Sequence, residues 1–175
     1  MNKPDAIHFR RATISDAEEL ARGVIEGVED YALFAPAAWT APSFEEEIGH
    51  LRESLADERV WCLVAESDGE IVGQITLLAA VDGPHPVADP TLAHISGLFV
   101  RRDFWGTGVA RDLNDAAVEK AVQRGFKELR LFVAAGQARA RRFYEREGWL
   151  AVGDEFDDPA PGLTMVEYRC KPRGR

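Results

Sequence analysis

The chain has 175 residues and a mass of 19.4 kDa, the usual span of one domain and enough to bury a core. Hydrophobic residues make up 46% of it and charged residues 29%, a globular balance that excludes a disordered or fibrous chain. The net charge of −9 argues against general nucleic-acid binding, no apolar stretch approaches the roughly 20 residues that cross a bilayer, and residues 1–10 lack the apolar core of a signal peptide.

Ile7–Ala12 reads as a short strand. Ser15-Asp16-Ala17-Glu18 has the form of a capping box, with Ser15 at the cap and Glu18 reaching back. Leu20, Ala21, Val24, Ile25 and Val28 follow at helical spacing. Tyr31 to Pro42 carries Pro36 and Pro42 and reads as a loop. Ser43-Phe44-Glu45-Glu46 is a second capping box, opening a helix to about Ala56. Val60–Glu66 and Glu70–Val81 are strands joined by the tight turn Ser67-Asp68-Gly69, hence a hairpin. Asp82–Pro90, with three prolines, is an exposed loop. Leu92–Val100 is a strand whose interior Gly97 predicts a bulge or a close approach. A helix starts near Gly108, carries Val109, Leu113, Ala116, Ala117 and Ala121 on one face, and stops at Gly125. Strand Glu128–Ala134, helix Ala138–Glu147 and strands Leu150–Phe156 and Thr164–Cys170 complete the chain. The order β-α-α-β-β-β-α-β-α-β-β predicts an α/β (mixed α+β) fold, a mixed sheet flanked by helices. With no repeat or linker, residues 1–175 are read as a single domain.

Charge is unevenly spread: residues 101–150 hold 11 Lys/Arg against 7 Asp/Glu, whereas residues 1–100 hold 6 against 18. A basic block in an acidic chain can seat an anion. Inside it, Leu98-Phe99-Val100 leads through Arg101–Trp105 to Gly106-Thr107-Gly108-Val109-Ala110-Arg111, a strand passing through two glycines into a helix. Free N–H groups and the helix dipole make such a start an anion site, and the glycines let an anion approach the backbone. No Gly-Lys-Ser/Thr follows, so this is not a Walker loop, and only Gly-x-Gly of a dinucleotide fingerprint is present. Cys62 and Cys170 lack CxxC spacing and the four histidines form no cluster, so neither a disulfide framework nor a metal site is expected. A cytoplasmic setting is expected.

Downstream, Gln137-Ala138-Arg139-Ala140-Arg141-Arg142-Phe143-Tyr144-Glu145-Arg146-Glu147-Gly148-Trp149 is a short helix ending at a glycine and an aromatic. Together the two stretches resemble the GNAT superfamily of acetyl-coenzyme A-dependent N-acetyltransferases. Leu98-x-Val100 followed by Trp105-Gly106-Thr107-Gly108-Val109-Ala110 is similar to the family's coenzyme motif, with Trp105 where Gln or Arg is common. Gln137-x-x-Ala140-x-x-Phe143-Tyr144-x-x-x-Gly148-Trp149 is similar to its second motif, Gln137 replacing an asparagine. Phe9–Thr13 with Asp16-Ala17 resembles the family's opening, so the likeness runs through nearly the whole chain.

The resemblance implies a mixed, mostly antiparallel sheet and transfer of acetyl from acetyl-coenzyme A, a co-substrate, to a primary amine of a small molecule or peptide. No metal, nucleic acid or membrane takes part in the implied reaction. Coenzyme contacts fall on Leu98, Phe99 and Val100, whose strand edge would pair with the pantetheine arm, on Trp105, Gly106, Thr107, Gly108, Val109, Ala110 and Arg111, and on Gln137 and Phe143. A backbone N–H near Phe99 is the implied oxyanion donor and Tyr144 the acid for the departing thiolate. His94 stands where the family often has a basic Glu; a structural histidine is the alternative. Glu26, Glu29 and Asp82 are candidates for holding the amine's charge. A non-catalytic coenzyme A-binding module of the same fold is the rival reading, and whether the chain dimerises stays open.

Overall fold

A computed structural model describes residues 6–172; residues 1–5 of the N-terminal segment read above for a signal peptide lie outside them. Its strands are β1 (His8–Arg11), β2 (Trp61–Ser67), β3 (Glu70–Ala79), β4 (Leu92–Val100), β5 (Glu128–Ala134), β6 (Leu150–Asp158) and β7 (Leu163–Cys170). The helices are α1 (Ala17–Val28), α2 (Phe44–Ala56), α3 (Val109–Gln123) and α4 (Ala138–Arg146). The seven strands form one sheet in the order β1-β2-β3-β4-β5-β7-β6, antiparallel except where β4 meets β5. No helix among the described residues is long and apolar enough to cross a membrane.

Alternation along the strands sorts side chains onto two faces. Ile75, Leu77, Ile95, Leu129, Leu131 and Val133 join Val109, Leu113 and Ala117 of α3 and Tyr144 of α4 in the main core. On the other face, Leu20 of α1 packs with Cys62, Val64 and Ile71, flanked by Leu51 and Leu55 of α2. Gly23 and Gly27 bring α1 down on Phe99: a Cβ at either would lie 2.9 Å from its ring. Gly23 thereby trades helix propensity for contact with the strand that borders the site.

The first cap differs from the sequence expectation. Asp16, not Glu18, reaches back, accepting from Thr13 N–H at 2.7 Å, and a 3-10 turn over Ile14–Asp16 precedes α1. Arg10 decides this, gripping both Asp16 oxygens (2.8 and 2.9 Å) and Glu66 (2.8 Å); its guanidinium holds the Asp16 carboxyl below the usual range. The second cap is as expected, with Glu46 N–H donating to Ser43 Oγ at 3.2 Å. The segment read as loop from Tyr31 begins inside a 3-10 turn, Glu29–Leu33.

Candidate active site

The parallel pairing of β4 and β5 stops early. Leu92, Ala93 and His94 pair with Glu128, Leu129 and Arg130, after which β4 runs to Val100 paired only with β3, and Leu131–Ala134 pair only with β7. A wedge opens between the two strands. Gly97 explains the divergence: it adopts φ +61 where the β3–β4 register slips, a bulge that bends the strand. The edge of β4 at Leu98 and Phe99 therefore faces an open slot rather than a neighbour. The Val100 carbonyl is already engaged, accepting from Trp105 Nε1 at 2.7 Å.

At the mouth of the wedge, Gly106 (φ +79) and Gly108 (φ +98) take the left-handed turn into α3, and nothing lies within 4 Å of where a Cβ would be on either. Thr107 Oγ1 donates to Phe104 O at 2.6 Å. The helical ladder starts with Asp112 N–H to Gly108 O at 3.0 Å, leaving the amides of Val109, Ala110 and Arg111 ahead of it, with the positive end of the helix dipole. The nearby arginines are less free than the charge count suggests. Arg101 pairs with Glu70 at 2.6 Å, Arg102 with Asp30 at 2.9 Å, and Arg111 lies 3.7 Å from Glu147. Arg141 donates to Tyr168 Oη and the Ala135 carbonyl, both at 3.1 Å. Arg139, which the motif leaves as a variable position, lies 3.1 Å from the centroid of the Trp105 ring, a cation–π contact tying α4 to the glycine turn.

Tyr144 rises from α4 on the α3 side of the sheet. It is 8% exposed and boxed by Phe143, Trp149 and Tyr168 at ring separations of 5.2, 5.8 and 6.3 Å. Trp149 is itself pinned by its Nε1 donating to Asn114 Oδ1 at 3.1 Å. Burial, helped by the nearby Tyr31 phenol, pushes the Tyr144 hydroxyl well above its ordinary pKa, so it keeps its proton at neutral pH. Phe143 sits half-buried against the core, and Gln137 is the N-cap of α4 with no side-chain cap bond.

His94 lies at the apex of the wedge, the last β4 residue paired with β5, but is sealed off there. It is 2% exposed on the α1 side of the sheet, packed against Gly83 and tilted on Phe132 at 5.3 Å. Burial, reinforced by the Arg130 charge, pulls its imidazole down to about 3. A base that weak is poorly matched to an alkylammonium, pKa about 10.4, which favours the alternative of a structural histidine. Asp82 is also spoken for, pairing with Arg59 at 2.8 Å, whereas Glu26 lines a groove of about 320 Å³ beside Phe99 and Gln74.

Opposite Tyr144 lies a second group, drawn largely from the loop segments Tyr31–Pro42 and Asp82–Pro90. Tyr31, Phe34 and Trp39 form an aromatic cluster, and Trp39 Nε1 donates to Pro161 O at 3.0 Å, joining the loop after α1 to the β6–β7 turn. Beside it, His85 Nε2 meets Asp158 Oδ2 at 2.8 Å. Arg130, a charge inside the apolar run Leu129–Val133, was the visible signal: its Nη2 donates to the carbonyls of Pro84 (2.5 Å) and His85 (2.9 Å). Among the described residues no cluster of three or more His, Cys, Asp or Glu is suited to a metal.

Comparison with known proteins gives one consistent answer. Residues 25–149 match the family model described as "Acetyltransferase (GNAT) family". An uncharacterized N-acetyltransferase of Archaeoglobus fulgidus is 30% identical over 142 residues, covering 79% of this chain and 89% of the relative. A GNAT-family acetyltransferase from Staphylococcus aureus Mu50 superposes with a TM-score of 0.74 at 16% identity, over 96% of this chain and 100% of that one. The ribosomal-protein-alanine N-acetyltransferase of Brucella melitensis gives 0.68 at 23% identity, over 94% and 99%.

Proposed function

The chain belongs to the acetyltransferase (GNAT) family, and from that premise we propose that it transfers acetyl from acetyl-coenzyme A to a primary amine of a small molecule or peptide, by direct attack in a ternary complex. The observation that carries this reading is the wedge between β4 and β5, with the free amides of α3 at its mouth and the protonated Tyr144 on one wall. The coenzyme's diphosphate is assigned to the N–H groups from Gly106 to Arg111, where dipole and backbone donors favour an anion. Its pantetheine amides are assigned to the open edge of β4 at Leu98 and Phe99, as an added strand. Trp105 and Arg139 wall the entrance, and Gln137 and Phe143 border it from α4.

The chemistry then needs three groups. The amine nitrogen attacks the thioester carbon, a backbone N–H near Phe99 takes up charge growing on the carbonyl oxygen, and Tyr144 Oη–H gives its proton to the sulfur as the C–S bond breaks. The acidic first hundred residues favour a cationic acceptor over an anionic one. The Brucella neighbour's acceptor is a protein alanine by its name, which keeps peptide N-termini within the acceptor class proposed here.

Thiol release from acetyl-coenzyme A with a panel of amines (spermidine, a lysine peptide, an alanine-initiated peptide) tests the proposal. Turnover with at least one amine is expected, and Tyr144→Phe should lower kcat about tenfold to a hundredfold while coenzyme affinity stays within about threefold. Wild-type protein that binds the coenzyme yet releases no thiol with any amine would leave a binding module instead.

A further inference from the structure

Given the proposed transfer, an ammonium must lose a proton before it can attack, and His94 is sealed from solvent at 2% exposed. The structure assigns that task to His85, oriented by Asp158. Four observations converge on this pair. His85 Nε2 lies 2.8 Å from Asp158 Oδ2, and Asp158 is 6% exposed, with its other oxygen fixed by the Ala160 N–H at 3.1 Å. A buried carboxylate on Nε2 selects the tautomer that carries its hydrogen there and leaves the Nδ1 lone pair free. The His85 side chain is 45% exposed, so the ring is not sealed in the core as His94 is.

Position is the second observation. The His85 ring meets Phe132 and Phe156 edge-on at 5.5 Å each. Phe132 lies two residues beyond Arg130, the last residue of β5 paired with β4, so it stands where the wedge begins. It projects to the face opposite Leu131 and Val133, whose side carries Tyr144. Acid and base thus flank the wedge from opposite faces of the sheet, one toward the leaving sulfur and the other toward the attacking nitrogen.

Third, the backbone is held in a costly shape. His85 has φ +48, left-handed for a β-branchless but bulky residue flanked by Pro84 and Pro86. Such strain persists only where surroundings enforce it. The enforcing group is the fourth observation: buried Arg130, whose Nη2 holds the Pro84 and His85 carbonyls. The ionisable groups around the imidazole are Asp158 from β6, His94 from β4 and Arg130 from β5.

The step balances as follows. His85 Nδ1 takes one proton from the ammonium; the freed lone pair forms the C–N bond; the C–S electron pair leaves on sulfur, which takes the Tyr144 proton. The second proton of the amide nitrogen restores the tyrosine through solvent, and imidazolium returns its proton to water, so one proton is released per acetyl transferred.

Steady-state thiol release with the three amines above, from mildly acid to alkaline pH, tests the assignment on His85→Gln and Asp158→Asn, with melting curves and acetyl-coenzyme A titrations on each. His85→Gln should lower kcat/KM for the amine about a hundredfold near neutrality, with coenzyme affinity changed less than about threefold. The deficit should shrink as pH nears the amine's own pKa, about 10 for spermidine and the lysine peptide and about 8 for the alanine-initiated peptide, where neutral amine no longer needs a base. Asp158→Asn should lose about tenfold and shift the acid limb of the profile, which a merely structural role would not do; it reads the same claim should His85→Gln fold poorly. A folded His85→Gln with the wild-type acid limb and rate would overturn the assignment while leaving the transferase standing. Wild-type protein without turnover on any amine would overturn both.

Discussion

His85 and His94 stand only nine positions apart in the chain and sit in opposite surroundings. His94 and His85 both touch Phe132, yet one is 2% exposed and the other has a half-open side chain with a carboxylate behind it. Proximity to the family's usual base position pointed to His94 because sequence carries no measure of burial. The partner that orients His85 is 73 residues away, between Asp157 and Pro159, and no local pattern joins them. Burial of His94 also makes a stability prediction. Its folded pKa, about 3, lies below the ordinary 6.5, so between those values the unfolded chain binds the extra proton and stability falls as pH drops. The melting temperature should decline from pH about 6.5 downward, before carboxylates near 3.9 titrate, and His94→Gln should flatten that decline. A wild-type melting curve that is level across this window would contradict the neutral, buried assignment.

At the scale of elements, most of the site's framework was legible. Strand Glu128–Ala134 was read with the observed bounds, the bulge at Gly97 followed from a glycine inside a strand, and Gly-Thr-Gly marked the start of α3. What was not legible depends on contacts between distant segments. Ser15-x-x-Glu18 has the letters of a capping box, but Arg10 captures Asp16 and moves the cap back to Thr13. The prolines after α1 spelled loop and hid that Phe34 is clamped on the β5–α4 turn: a Cβ on Gly136 would lie 2.4 Å from its ring. Gly136→Ala should therefore displace Phe34 and the aromatic cluster beside the wedge, raising KM for the amine about tenfold with kcat changed less. Unaltered amine KM in a folded variant would show that this loop does not border the acceptor.

For the whole molecule, the acidic and basic regions are not two independent fields. Asp30 and Glu70 from the acidic half reach across to Arg102 and Arg101 beside α3, so the basic block counted from sequence is partly neutralised where an anion would bind. Anion binding there thus depends on backbone amides and glycine geometry more than on net charge. Calorimetric titration of acetyl-coenzyme A into wild-type protein and Gly108→Ala measures that directly. Saturable one-to-one binding is expected, weakened about tenfold by a substitution that meets no neighbour but is strained at φ +98. An absence of heat with folded wild-type protein, or equal affinity in the variant, would contradict it.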